Sequence, residues 1–476
     1  MTATARYRTM PAATHLFSQW VRQMTDSTVE SPLFYQTKSY TPTVAKADGI
    51  YIWDTTGKKY IDGSSGAVIC NIGHNDPSIL KAITTQAQST FFSYRTQFEN
   101  EPAIDLANTL VAHSADHLEK IFYVSGGSEA VESALKLCRS YYYSRGEANR
   151  FMFISRSPSY HGSTMGALSL TSYTPLEQQY RPLLQSFPKI PAPYCYRCHY
   201  KQCYPHCGVV CAHELENTLL KIGPENVAGF VTEPIGGAST GAIVPPPAYF
   251  SIIRKICDKY GIMLIFDEVM TGFGRTGKLF AYEHWNVKAD IVALSKGMAS
   301  GYYPLGAIMT RNDIVQSVMT YGGFPHGHTY AGNPMACAVG LAVFNRIIES
   351  DLPANAEKQG KRLKQGLQAL AEKHTIIGEV RGKGLLTALE FVKNRETREA
   401  HSSAKGIGSR ITAEAFAEGL IVYPRRPING YAGDHVLIAP PLIVNEQQID
   451  TILEKLDTAI SRVMDSIAEK HFNFKI

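Results

Sequence analysis

The sequence predicts an α/β fold built on a mainly parallel sheet, and three observations predict it. Between about residues 120 and 295, short apolar runs alternate with helical stretches. The runs at 121–124, 150–154, 227–232, 262–266 and 291–294 show little polar alternation, the pattern of strands covered by helices on both faces. Chemistry-bearing residues also follow several of these runs at once, and ligands of such sheets bind at the carboxyl ends of the strands.

Ahead of the sheet, residues 49–63 read as a hairpin, with Trp53 and Tyr60 flanking a turn at Thr55, Thr56 and Gly57. Behind it, Leu363, Leu367 and Leu370 recur at helical spacing, as do Ile449, Ile452, Leu453, Leu456, Ile460 and Val463, around a strand-like segment at 385–392. The two chain ends are therefore expected to build a small α+β domain, from residues 31–75 and 335–476. A large domain is expected at 76–334, and residues 1–30 are expected to form a flexible amino-terminal arm.

Composition narrows the partners. A charge of +5 over 476 residues is too dilute for a nucleic-acid footprint. No run of apolar residues approaches the eighteen or so that a bilayer helix needs, so no membrane partner is expected. Of the nine cysteines, five crowd between Cys195 and Cys211, which favours a reducing, cytoplasmic compartment over a disulfide framework. Arg6, Arg8 and Arg22 precede the first acid, Asp26, which faintly suits a mitochondrial transit segment.

The residues after the strands carry the chemistry. Ser125-Gly-Gly-Ser-Glu-Ala follows an apolar run and opens a helix, so its amides and the Ser128 hydroxyl can hold a phosphate; the bland reading is a capped helix start with Ser128 as N-cap. Asp267 ends the most apolar strand and needs a partner, which a protonated ring nitrogen or an arginine would supply. Lys296 follows the 291–294 run, and a desolvated lysine there can form a Schiff base, although a surface lysine has the same local sequence. Phosphate nest, ring-nitrogen partner and imine lysine together are what pyridoxal phosphate requires.

With Tyr160-His161-Gly162, Glu233-Pro234, Asp267-Glu268-Val269, Thr271-Gly-Phe-Gly-Arg-Thr-Gly277, Ser295-Lys296-Gly297, His328-Thr329-Tyr330 and Val380-Arg381-Gly382 in this order, the chain resembles the class III pyridoxal-phosphate aminotransferases, the ornithine, GABA and omega-amino acid group. The resemblance implies fold type I, with a seven-stranded, mainly parallel sheet in the large domain. It also implies roles: Gly127 and Ser128 on the phosphate, Tyr160 and Val269 on the two ring faces, and His161 shaping the cofactor pocket. Asp267 takes the ring nitrogen, Glu233 lies near the cofactor, and Lys296 is the imine lysine and proton shuttle. Thr329 is expected to reach the partner subunit's cofactor in a homodimer, and Arg381 to bind a substrate α-carboxylate, unless it is salt-bridged to Glu379 or Glu390. Met270 stands where several members of the family carry glutamine.

The implied activity is amino transfer from an amino acid or amine to a carbonyl acceptor. A decarboxylase or aminomutase of the same fold shares these motifs, and the pocket-lining roles of Trp53, Tyr94, Arg95, Arg425 and Arg426 stay unranked. Gly272-x-Gly274-x-x-Gly277 matches a dinucleotide fingerprint formally, but no helical stripe follows it. The insertion at 191–213, with Cys195, Cys198, Cys203, Cys207 and Cys211 among histidines, is a candidate zinc site and the basis of a distant alternative, a zinc-binding scaffold.

Overall fold

In the computed structural model, residues 32–33, 41–425 and 433–472 are described, so Arg426 and the arm expected at 1–30 lie outside the described residues. The apolar runs form a seven-stranded sheet in the order β4 (Lys120–Val124), β10 (Gly306–Thr310), β9 (Ile291–Leu294), β8 (Met263–Asp267), β7 (Val227–Thr232), β5 (Met152–Ser157) and β6 (Lys189–Pro191). Strands β9, β8, β7, β5 and β6 run parallel, and β10 pairs antiparallel with both β4 and β9. Every residue of β7, β8, β9 and β10 is buried, which explains their unbroken apolar character.

Helices cover the sheet. In the helix Tyr249–Tyr260, the buried positions Tyr249, Phe250, Ile253, Ile256 and Cys257 make one apolar stripe. Phe250 meets Phe266 of β8 and Trp285, each with ring centroids 5.0 Å apart. Burial of one such side chain contributes roughly 1.5–3 kcal/mol. The helix stops at Gly261, whose left-handed backbone (φ 60°) lets its amide turn back to the Cys257 and Asp258 carbonyls.

Two four-stranded sheets carry the rest. One has the order β1 (Val44–Asp48), β2 (Tyr51–Asp54), β3 (Lys59–Asp62) and β13 (Leu420–Ile421), the last parallel to β3. Its β2–β3 hairpin pairs Trp53 with Lys59 and Ile52 with Tyr60, as the sequence pattern requires. The other has the order β11 (Ile377–Lys383), β12 (Leu386–Phe391), β15 (His435–Ile438) and β14 (Tyr423–Arg425), all antiparallel. Arg275, fully buried, fastens the chain ends to the glycine-rich loop. Its guanidinium donates to the Leu385 and Pro440 carbonyls, the Ser65 hydroxyl and the Asn71 side chain at 2.6–3.2 Å. The loop from Thr271 to Gly277 leads into a short 3-10 turn, Ala281–His284, and opens no α-helix.

Register decides the site. Thr232 pairs with Phe266, and Phe266 with Val292, so β7, β8 and β9 end side by side. Glu233 and Asp267 therefore emerge next to each other, with Lys296 two residues past the end of β9.

Candidate active site

Glu233, Asp267 and Lys296 line one cavity of about 150 Å³ together with Gly127, Ser128, Tyr160, His161, Gly162, Ile235, Ala238, Val269, Met270 and Thr271. Of the ten residues expected around a cofactor and its substrate, eight stand here, all but Thr329 and Arg381, brought from the ends of five separate strands.

Asp267 is buried, and both its oxygens are held: Oδ2 lies 2.8 Å from His161 Nδ1, and Oδ1 accepts from the Val269 amide at 3.1 Å. A carboxylate only accepts, so Nδ1 carries the proton of that bond. The other ring nitrogen, His161 Nε2, is buried and has no partner. Glu233 accepts from the Gly237 amide through Oε1 at 2.7 Å, while its Oε2 is buried and also unpartnered. Burial pushes the Glu233 carboxyl above its ordinary range, against the pull of His161 and Arg156.

Lys296 has a left-handed backbone (φ 46°), an uncommon conformation for a residue other than glycine, of the kind that clusters at functional sites. Burial pushes its amine down to about 8, opposed by the carboxylates of Asp267 and Glu233 and assisted by the charges of Arg425 and Arg275. Such an amine is partly neutral near pH 7 and wholly so above 9, the state a nucleophile or proton acceptor needs.

The corner of the cavity at the start of the helix Gly127–Ser144 is made by close packing. The helix Gly127–Ser144 begins after Gly126, and its first intrahelical bond runs from the Ala130 amide to the Gly126 carbonyl at 3.0 Å. The amides of Gly127, Ser128 and Glu129 precede that ladder and form the positive end of the helix dipole. Ser128 is not the N-cap, which is Gly126; its hydroxyl accepts from the Ser163 amide at 3.0 Å. A side chain at Gly127 would put Cβ 2.7 Å from Val269, and one at Gly162 (φ 133°) would put it 2.7 Å from the Ser128 hydroxyl. Glycine at both positions lets three chain segments meet.

Two expected residues stand elsewhere. Thr329 is exposed, on a turn that does not line this cavity. Arg381 is buried on β11 and is surrounded by acceptors of the chain itself. Its Nη1 donates to Glu379 and Glu390 at 2.6 Å and to the Tyr194 hydroxyl at 2.9 Å. Nη2 donates to the Thr240 carbonyl at 2.9 Å, and Nε to that of Gly241. The guanidinium is thus engaged in a structural ion pair, and a substrate carboxylate reaches it only by displacing a glutamate.

Arg425 donates to the Tyr423 hydroxyl at 2.5 Å and has no ion-pair partner among the described residues. Trp53, Tyr94 and Arg95 do not line the cavity; Arg95 lies 4.7 Å over the Phe122 ring. The five cysteines of the insertion are all free thiols. Among the described residues, the group of three potential metal ligands within 4.8 Å of one another is Asp62, Cys70 and His74, not a set of these thiols.

Sequence reasoning missed the supports. Arg156, buried at the end of β5, donates to the Glu233 carbonyl at 2.5 Å and fixes the turn that aims this acid. Tyr194 and Arg197 of the insertion both reach Glu390, tying the insertion to the Arg381 cluster. A buried arginine inside an apolar strand was the available signal for the first; nothing local to 194–197 announces the second.

The arrangement offers an anion nest, a buried oriented carboxylate and a partly neutral amine in one enclosed space. The orphaned His161 Nε2 and Glu233 Oε2 leave polar capacity for a ligand with ring substituents, and the glycine cradle leaves room for an anionic group. These features fit pyridoxal phosphate.

Residues 35–460 match the family model described as Aminotransferase class-III. Among curated proteins, the chain is 38% identical over 424 residues to an uncharacterized aminotransferase, YodT, of Bacillus subtilis, covering 89% of this chain and 95% of that protein. It is 35% identical to the putrescine–pyruvate aminotransferase of Pseudomonas aeruginosa, covering 86% of this chain and 88% of that protein. Among solved structures, an amine transaminase from an uncultivated Pseudomonas species in the PLP-bound form superimposes with a TM-score of 0.86 at 34% identity. That match covers 92% of this chain and 99% of the other.

Proposed function

The chain belongs to the class-III aminotransferase family, and from that premise we propose that it transfers an amino group from an amine or amino-acid donor to a keto acid or other carbonyl acceptor, using pyridoxal 5′-phosphate held in the Lys296 cavity. One observation carries the reading: the adjacent ends of β7, β8 and β9 deliver Glu233, Asp267 and Lys296 into a cavity that also receives the start of the helix Gly127–Ser144. The matched relatives are aminotransferases and transaminases, and no observation favours the decarboxylase, aminomutase or zinc-scaffold readings.

In this reading, Gly127 and Ser128 would hold the phosphate, Tyr160 and Val269 would flank the ring, and Asp267 would hold the ring nitrogen. When bound, the cofactor supplies an electron sink for the carbon that carries the transferred amine. Asp267, oriented by His161, would place its carboxyl where a protonated ring nitrogen needs an acceptor. Lys296 Nζ takes a proton from the donor carbon and returns it on the other side of the transfer, general acid–base work for which an amine near 8 is suited. The buried Ile235 and Ala238 exclude water from this exchange. Arg381 accepts a substrate carboxylate only by exchanging it for Glu379 or Glu390, which makes donors without an α-carboxylate the better-suited class.

We further propose a homodimer in which Thr329 reaches the partner's cofactor. Its support is the exposure of Thr329 next in sequence to exposed Tyr330, whose ring meets that of exposed Phe92 with centroids 6.1 Å apart, apolar surface of the kind that subunits cover. We also propose the domain division suggested by the sequence, a large domain at 76–334 and a small domain from 31–75 and 335–476; the two four-stranded sheets, whose strands fall within those two end segments, support it. A cytoplasmic location is supported by nine cysteines that form no disulfide; no helix among the described residues is long and apolar enough to cross a membrane. A donor panel of α-amino acids, ω-amino acids and diamines, with pyruvate and 2-oxoglutarate as acceptors, tests the activity. Carbon dioxide release without amino transfer would overturn it.

A further inference from the structure

Beside the Arg381 cluster lies a second cavity, of about 670 Å³, that shares no lining residue with the Lys296 cavity. Its charged wall is assembled from three distant parts of the chain. Lys278 comes from the loop after the glycine-rich turn; Glu357, Lys361 and Lys364 from the helix Leu352–Lys373; and Glu379, Arg381 and Lys383 from β11.

The two acids are already matched. Glu357 pairs with Lys361 at 2.8 Å, and Glu379 with Arg381 at 2.6 Å. Lys278, Lys364 and Lys383 have no ion-pair partner among the described residues; Lys364 Nζ makes one long bond, 3.4 Å, to the Gly382 carbonyl. Glu357 also feels Lys278 and Lys383, so a single carboxylate answers several ammonium groups. On the same wall, burial and the charges of Lys383 and Lys278 push His284 down to about 4, so it adds no charge of its own near neutrality.

Like charges in one concavity repel, and more strongly where water is excluded. A bound anion removes that repulsion. Glycines line the cavity too: Gly360, Gly382 and Gly384 leave backbone uncovered, and a side chain at Gly360 would collide with Gly384. The volume lies within the roughly 300–1,000 Å³ typical of small-molecule sites. A phosphate carries about −1.5 to −2 at pH 7, so a diphosphate group can balance three lysines where a carboxylate balances one.

We propose that this cavity binds a multiply charged, phosphate-bearing small molecule, with Lys278, Lys364 and Lys383 as its cationic wall. The same chemistry can arrive as a free ligand or as the anionic tail of a substrate.

Calorimetric titration of the holoenzyme with inorganic pyrophosphate and with ADP tests the site; the holoenzyme is used so that the phosphate nest of the Lys296 cavity is filled. Saturable binding is expected, weakened at least tenfold by the triple variant Lys278→Ala, Lys364→Ala, Lys383→Ala and retained when the three are changed to arginine. If ADP raises KM for the amino substrate at unchanged kcat, the site serves a substrate tail; if KM is unmoved, it serves a free ligand, and both results support the proposal. Absence of saturable binding, or equal binding by the triple alanine variant, overturns it. Binding is read directly, so the outcome does not depend on the amino-transfer reading.

Discussion

His161 Nδ1 stands 2.8 Å from Asp267 Oδ2, with both side chains buried and the far nitrogen of the imidazole unpaired. The pair joins the loop after β5 to the end of β8 and fixes which way the carboxylate faces. Asp267→Asn keeps the shape but removes the charge. Loss of a preorganised charge of this kind costs about a hundredfold to a thousandfold in rate. His161→Gln removes only a hydrogen bond to a charged group, worth about 1.5–3 kcal/mol. A smaller loss, about tenfold to a hundredfold in kcat, is expected there, and equal losses in the two variants would refute the hierarchy.

The reactivity of Lys296 gives a pH signature. Its amine is held near 8, below the ordinary lysine value, so it is protonated below that pH and neutral above it. Capture of added pyridoxal phosphate by cofactor-free protein should rise through pH 8. Glu233 favours the ammonium form, so Glu233→Gln should move that midpoint lower, and Asp267→Asn, the stronger influence, lower still. Stopped-flow absorbance across pH 6–10 measures the midpoint. A value near 10, or an upward shift in Glu233→Gln, contradicts this electrostatic account.

Gly162 tests the packing of the anion nest. Its backbone (φ 133°) is strained for any side chain, and a Cβ there would lie 2.7 Å from the Ser128 hydroxyl and 2.9 Å from its Cα. Gly162→Ala should therefore push the helix start away and weaken cofactor affinity, by about 1–3 kcal/mol for overpacking of this sort. Equilibrium dialysis against pyridoxal phosphate checks the loss; unchanged affinity would mean that the contact does not shape the nest.

Much of this site was legible because a parallel sheet gathers its strand ends in one place. An apolar run followed at once by Asp267, and another by Ser295-Lys296, points to two polar groups at strand ends without any knowledge of the fold, and the structure brings both to one cavity. The strands β6 and β10 were not anticipated, and the antiparallel direction of β10 is set by its pairing with β4 and β9, neighbours distant in sequence. Side-chain engagement was equally hidden. The motif around Arg381 names the residue, but whether its guanidinium is free depends on Tyr194, Thr240, Gly241 and Glu390, which only the folded chain brings together.

Arg381 consequently supports stability. Arg381→Met leaves Glu390 buried without one of its two cations, and breaking a buried pair costs about 3–5 kcal/mol. A clear fall in melting temperature is expected, with little change in kcat for a diamine donor. Unchanged stability, together with a selective loss of activity toward α-amino acids, would instead identify a free carboxylate fork.

The central claim is that Lys296, among all the lysines of the chain, is the one that joins the cofactor. Borohydride reduction of the protein loaded with pyridoxal phosphate, followed by peptide mass mapping, reads this directly. The pyridoxyl mass should fall on Lys296 alone and vanish in Lys296→Ala, which should fold normally yet show no turnover. Label on another lysine, or sustained amino transfer by Lys296→Ala, would contradict the account.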